Sequence, residues 1–286
     1  MRLYRYRTIN DWLAPLLLKR ECYFASVEEL NDPFECKFDF KPATNRAIFI
    51  ERTARRIASL SERDRKLLAL EYLSKGPRGE KAFLWLSLNC PKRFAKHLWR
   101  ELYETDDLKK LSLYKHEYLL KSLRQDVGVC CFSEVRDSTL MFAHYANSHK
   151  GCCVGFEIPD GLAYKVRYTD EFPVFREYPE SYWPVIEATI MTKSSAWTYE
   201  REWRMILLKK RGLIMLPESC RITEVIFGCK IIDSDKQKVL DLVRSSPDRV
   251  EVFQALIGRT AFCFEFEPVN LQQGEVAPNT SPQADG

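Results

Sequence analysis

Between Thr44 and Gln125 the hydrophobic period of the chain changes, and this constrains the fold more than any other feature of the sequence. Apolar residues recur there at threes and fours, through Ile50, Ala54, Ile57 and Leu60 and again through Leu67, Leu70 and Leu73, with Gly76-Pro77 and Pro91 as breaks. That spacing lines one face of a helix. On either side the pattern is mostly that of strands. Leu3-Tyr4-Arg5-Tyr6-Arg7 alternates apolar and polar residues, and further strands are predicted at Glu21–Ala25, Val127–Phe132, Cys152–Ile158, Lys165–Tyr168, Glu202–Leu208, Glu224–Phe227, Val250–Ala255 and Phe262–Phe266. Outside the insert, helices are predicted at Ile9–Arg20, Thr139–Asn147 and Ser234–Ser245. Strand and helix do not alternate in crossover units, so the fold class is α+β, with a mixed, mainly antiparallel sheet and a helical insert at about 44–126. Residues 1–267 read as a single α+β domain. Residues 268–286 are rich in Gln, Pro, Asn, Ser and Gly and lack aromatics, and read as a disordered tail.

The charge follows the same division. Of the 44 basic and 40 acidic residues, 19 and 11 fall between Thr44 and Asp126, so that stretch carries +8 and the remainder −4. A basic helical face on a slightly acidic body makes nucleic acid a possible partner of the insert. Trp85, Trp99, Tyr103 and Tyr114 interleave these basic helices, although aromatic residues at helical spacing more often pack as core. The ten cysteines include no Cys-x-x-Cys. The vicinal pairs Cys130-Cys131 and Cys152-Cys153 fall in strand-like runs that send neighbouring side chains to opposite faces. Reduced thiols packed as small hydrophobes are expected, and no metal. Nothing resembling a signal peptide opens the sequence, and the longest apolar runs are far too short to cross a bilayer. A cytoplasmic protein without a membrane partner is expected.

Several segments have a composition suited to a site. These are Tyr4-Arg5-Tyr6-Arg7; Tyr23-Phe24-Ala25-Ser26 leading to Asn31-Asp32-Pro33-Phe34-Glu35-Cys36; Cys131-Phe132-Ser133-Glu134; Met141-Phe142-Ala143-His144-Tyr145 running to His149-Lys150-Gly151; Trp197-Thr198-Tyr199-Glu200-Arg201-Glu202-Trp203-Arg204; and Ile226-Phe227-Gly228. In this order they resemble the bacterial domain of unknown function 2971 family over most of residues 1–255, the insert excepted. That resemblance implies a fold and site positions and supplies no reaction.

The residues themselves suggest the chemistry. Glu200 and Glu202, two apart at the mouth of a strand, are expected to project to the same side, with Arg201 on the other. Such a pair can hold a ribose hydroxyl with one carboxylate and orient an acceptor with the other. The bland alternative is a strand entrance where Arg201 and Arg204 merely pair with the acids. Arg5 either points inward, where it needs an anion, or outward beside inward Tyr4 and Tyr6. Ser133 ends a strand, where it can meet a ligand or simply cap a turn.

Read together, Arg5, Ser133 and Glu200-x-Glu202 look like the Arg, Ser and Glu-x-Glu order of ADP-ribosyltransferases. That resemblance implies NAD as substrate, cleavage of its nicotinamide–ribose bond, and transfer of ADP-ribose to a macromolecule or to water. Glu202 and Glu200 would be catalytic, and Arg5, Ser133, Tyr145 and His149 would bind the nucleotide. Arg5, Ser133 and Glu202 should then line one concave site.

Other readings stay open. His144 and His149 are about 140° apart on a regular helix, so one metal cannot be shared from it; His149 either lines a pocket or packs. Asn31-Asp32-Pro33 is a turn, or Asp32 and Glu35 join Glu202 in a carboxylate cluster for a divalent ion. From a different class altogether comes a non-catalytic nucleotide- or nucleic-acid-binding module of a bacterial defence or stress system.

Overall fold

The structure, a computed structural model, describes residues 1–40, 45–65, 80–100, 127–175 and 182–271. The chain forms two compact units. The first comprises Met1–Asn31, Asp126–Tyr168 and Lys193–Gly286, and the second Asp32–Gln125 and Thr169–Thr192. The strands, in chain order, are β1 (Arg2–Arg7), β2 (Glu21–Phe24), β3 (Asp39–Phe40), β4 (Val127–Ser133), β5 (Cys152–Glu157), β6 (Tyr164–Lys165), β7 (Arg167–Thr169), β8 (Val174–Phe175), β9 (Thr192–Ser194), β10 (Glu202–Leu208), β11 (Gly212–Met215), β12 (Arg221–Phe227), β13 (Glu251–Ile257) and β14 (Phe264–Pro268). The helices are α1 (Leu13–Lys19), α2 (Arg46–Ser59), α3 (Glu80–Asn89), α4 (Pro91–Trp99), α5 (Thr139–Tyr145), α6 (Tyr182–Thr189) and α7 (Asp233–Arg244). The protein has the α+β fold expected, built on a mainly antiparallel mixed sheet.

The first unit holds an eight-stranded sheet in the order β14-β13-β12-β5-β1-β4-β10-β6. Within it β12 and β13 are parallel, as their connection through α7 requires, and the other pairs are antiparallel. The alternation of β1 decides what each face carries. Leu3, Arg5 and Arg7 point to one face, where Cys130, Phe132, Val154, Phe156 and Met205 join a core closed by Leu13, Leu16 and Leu17 of α1 and Val239, Leu240 and Val243 of α7. Tyr4 and Tyr6 point to the other face, where Cys153, Ile226 and Ala255 pack beneath Met141 and Phe142 of α5. A sheet covered on both faces explains why β4 is apolar almost throughout.

On the α5 face five side-chain positions align across five strands. Glu224 pairs with Gly155, Gly155 with Tyr4, Tyr4 with Ser133, and Ser133 with Glu202. Glycine is needed in this row, because a Cβ at 155 would lie 2.6 Å from the Glu224 side chain and 3.1 Å from the Tyr4 ring. The Tyr4 hydroxyl uses that space to donate to Glu224 Oε1 at 3.2 Å.

The chain stays tied to this unit beyond the expected start of the tail. β14 runs to Pro268, the Val269 amide donates to Val252 O at 2.8 Å, and Leu271 O accepts from Arg244. Residues 272–286 lie outside the described residues.

In the second unit α2 packs on α4 through Phe49, Ile50, Ala54 and Ala95, with the Trp99 ring 5.2 Å from Phe49. Asn45 caps α2 by accepting from the Ile48 amide, and Pro91 opens α4. Arg52, Arg55, Lys92, Arg93 and Lys96 lie on the exposed faces. Trp99 is therefore partly buried against the core, Trp85 is exposed, and Tyr103 and Tyr114 lie outside the described residues.

Candidate functional site

The candidate site lies in the first unit, where β4 ends and β10 begins on the α5 face. Its chemistry begins with Ser195–Glu200, a 3-10 helix that Arg201 terminates in the left-handed conformation, φ 43°. Glu200 is therefore the last residue of a helical turn and Glu202 the first of β10, so the two do not share a strand face through simple alternation as expected. The left-handed residue reverses the chain direction instead, and both carboxylates meet at Lys193.

Lys193 donates to Glu200 Oε2 at 2.6 Å and to Glu202 Oε2 at 3.1 Å, and its ammonium lies 4.8 Å from the centre of the Trp197 ring. Arg204 closes the other side of Glu202 with two bonds, Nε to Oε1 at 2.8 Å and Nη2 to Oε2 at 3.0 Å. The remaining oxygen of Glu200 accepts from the Tyr145 hydroxyl at 2.5 Å, and that hydroxyl accepts from Asn31 Nδ2 at 2.6 Å. Glu200, Glu202, Lys193 and Arg204 are 3%, 4%, 5% and 0% exposed, so two anions and two cations share one water-poor volume. Tyr145 is half-buried and forms the outer edge of the cluster.

Burial opposes ionisation of Glu202, but Arg204 and then Lys193 outweigh it and hold this carboxyl at about 2. The same pairing works in reverse at Lys193, where burial disfavours the charge and Glu202 and Glu200 raise its proton affinity above the ordinary value. The Tyr145 hydroxyl is pushed up, first by burial and then by its bond to Glu200. Bidentate, charge-assisted bonds of this kind fix geometry as well as charge.

The other expected site residues are distributed differently. Ser133 is present at the site, but its hydroxyl donates to Glu200 O at 2.6 Å and accepts from the Val135 amide at 3.0 Å. It fastens the turn that carries Glu200. Arg5 lies on the opposite face of the sheet, which corrects the expected concavity of Arg5, Ser133 and Glu202: residue parity along β1 places Tyr4 in the Ser133–Glu202 row. Arg5 donates to Cys130 Sγ at 2.9 Å and lies 5.6 Å from the centre of the Phe132 ring. Among the described residues no carboxylate pairs with it. His149 lies in a different cavity, beside Cys229, Lys230 and Phe264, and so does not join Glu200 and Glu202.

Of the two arginines expected to pair with the acids, Arg204 does and Arg201 is exposed. Pattern reading missed Lys193 as the partner of both acids and Asn31 as the partner of Tyr145. The signal for Lys193 was indirect: two acids drawn inside a fold require cations, and Lys193 follows the apolar run Ile190-Met191. The Asp32 side chain accepts from the Phe34 amide, which supports the turn reading of that segment. Among the described residues no group of three histidine, cysteine, aspartate or glutamate side chains is placed to hold a metal ion, and no disulfide joins any of the ten cysteines. Cys130 and Cys131 face opposite sides as their spacing implies, one toward Arg5 and the other, opposite Arg204, on the face that carries Glu202.

Comparisons with protein-family models, with curated proteins and with solved structures gave no match. The two family resemblances therefore rest on the sequence segments quoted above. No described helix is long and apolar enough to cross a membrane.

Proposed function

We propose that this protein cleaves NAD at the nicotinamide–ribose bond and passes ADP-ribose to a macromolecule or to water, with Glu200 and Glu202 as its reacting carboxylates. The observation that carries this reading is the convergence of two carboxylates, a tyrosine hydroxyl and two fixed cations beside the end of β4. Breaking the glycosidic bond builds positive charge on the ribose ring, and a carboxylate already held in place lowers the energy of that state without reorganisation. Glu202 keeps its charge through Arg204. Glu200 faces the half-buried Tyr145, the edge from which an acceptor would approach. Arg5 has no part in this mechanism and Ser133 serves it by fastening the turn of Glu200, so of the residues of the ADP-ribosyltransferase resemblance the reading keeps the two glutamates in their expected roles.

One observation favours a second reading, that of a non-catalytic nucleotide-binding module. Lys193 and Arg204 neutralise both carboxylates in the resting protein, so the cluster is also a rigid floor for a binding site. The two readings differ in turnover. Purified protein incubated with NAD and a macromolecular acceptor should release free nicotinamide. Glu202→Gln should retain NAD binding while turnover falls roughly 10²-fold or more, the scale of losing one preorganised electrostatic group. Arg5→Met should leave turnover near wild type. Equal turnover in wild type and Glu202→Gln, with both folded by thermal melting, excludes the catalytic reading, and NAD binding without any nicotinamide release supports the module.

A further inference from the structure

We propose a second ligand site, separate from the carboxylate cluster, in the cavity formed by His149, Lys230, Arg259 and Phe264, and assign its ligand to the class of small aromatic anions. The cavity measures about 620 Å³, within the range of small-molecule sites. Among the described residues Lys230 and Arg259 line it and no carboxylate does, so the charge these residues bring to it is positive. The same wall holds Phe262 fully exposed and Ile257 71% exposed. Aromatic surface beside two cations is the complement of a flat ring bearing a phosphate or carboxylate.

His149 adds a polar group at a fixed point. Its ring lies parallel to Phe142 at 6.3 Å and meets Phe264 edge-on at 5.9 Å. Its Nδ1 is buried and has no hydrogen-bond partner among the described residues, an uncommon state for a buried nitrogen. Burial, and then the Lys230 charge, lower its proton affinity below the ordinary histidine value, so the ring offers hydrogen bonding without a charge near neutral pH.

The backbone that presents this histidine is strained and held. Asn147, Ser148 and His149 are all left-handed, with φ of 47°, 52° and 70°, a conformation that costs any residue with a Cβ. The run is fixed by His149 N donating to Phe142 O at 3.1 Å and by Lys230 N donating to His149 O at 3.0 Å. Gly228 permits the second contact, since a Cβ there would lie 2.2 Å from His149 O. One backbone bond thus couples the imidazole to the cation that would meet the ligand. Strain kept in place by its surroundings concentrates at ligand sites.

The test is titration calorimetry on the full chain at low salt with phenyl phosphate, and with phenol and inorganic phosphate as its two halves. Phenyl phosphate should bind saturably, one per chain, at least tenfold more tightly than either half, and shift the His149 imidazole resonances. The double substitution Lys230→Met and Arg259→Met should weaken it at least tenfold at an unchanged melting temperature, and the single Lys230→Met by a smaller factor. Absence of saturable binding at millimolar concentration overturns the proposal, as does binding indifferent to the double substitution. So does self-association of the chain that Phe262→Ser abolishes, because a second copy would then occupy the wall. The site stands or falls independently of NAD turnover, since none of its residues belongs to the carboxylate cluster.

Discussion

At the residue scale the protein is organised by where it allows charge inside. Lys193, Glu200, Glu202 and Arg204 are buried as a neutral quartet, whereas Arg5 is accepted among thiols and an aromatic ring. A buried ion pair is poor evidence of net stability, but removing one member leaves its partners unpaired and costs about 3–5 kcal/mol. Glu202 makes this measurable by pH. Its folded pKa of about 2 lies below its ordinary value, so its contribution is complete above the unfolded pKa of about 4.3 and is lost as pH falls through that value toward 2. A displacement of this size corresponds to roughly 3 kcal/mol. Denaturant unfolding of the wild type between pH 6 and 2 should show this acid limb, and Glu202→Gln should flatten it while starting from a lower stability at pH 6. An identical acid limb in both proteins would assign the loss to other carboxylates.

At the element scale the site depends on one turn. Arg201 is left-handed between the 3-10 helix of Glu200 and the strand of Glu202, and its carbonyl accepts from the Glu134 amide at 3.1 Å. A β-branched residue tolerates that conformation least. Arg201→Val should therefore destabilise by about 1–2 kcal/mol and reduce NAD turnover by loosening both carboxylates, while Arg201→Gly stays within about 1 kcal/mol of wild type. Chemical denaturation and nicotinamide release check both, and a valine variant equal to wild type in each would show that the turn does not position the acids. The same turn marks the limit of what the sequence disclosed. β10 was legible at its observed bounds, Glu202–Leu208, and β4 to within one residue, because their apolar runs report burial directly. The reversal at Arg201 was not legible, since arginine carries no preference for φ > 0 and the pattern of two acids around it suits a strand equally well. The face taken by Arg5 was ambiguous for a related reason: alternation groups Tyr4 with Tyr6, and only the register with Ser133 shows which face holds Glu202. β11 was missed because it pairs with β2 in a separate two-stranded ribbon and leaves alternate residues exposed.

At the scale of the whole molecule the charge asymmetry of the sequence coincides with a division of the chain. The stretch that carries +8 lies, but for Asp126, within the second unit, which also takes residues 32–43 and Thr169–Thr192. Its described helices keep Arg52, Arg55, Lys92, Arg93 and Lys96 on exposed faces and pack their aromatic Trp99, partly buried, against Phe49. That arrangement places charge where a phosphate backbone can reach it and withholds one of the rings on which bases would stack. The expected interaction is therefore electrostatic and indifferent to sequence. The full chain should bind a labelled duplex and a labelled single strand of unrelated sequence comparably at about 50 mM salt, and log affinity should fall linearly with log salt by about 0.9 per phosphate neutralised on the duplex. Reversing Arg52, Arg55 and Lys96 to glutamate should abolish this binding and leave NAD turnover unchanged, because none of the three belongs to the first unit. Fluorescence anisotropy at several salt concentrations makes the measurement. No binding at about 50 mM salt would reduce these helices to scaffold, and binding that survives about 500 mM salt would require base contacts that the exposed faces of α2 and α4 do not offer.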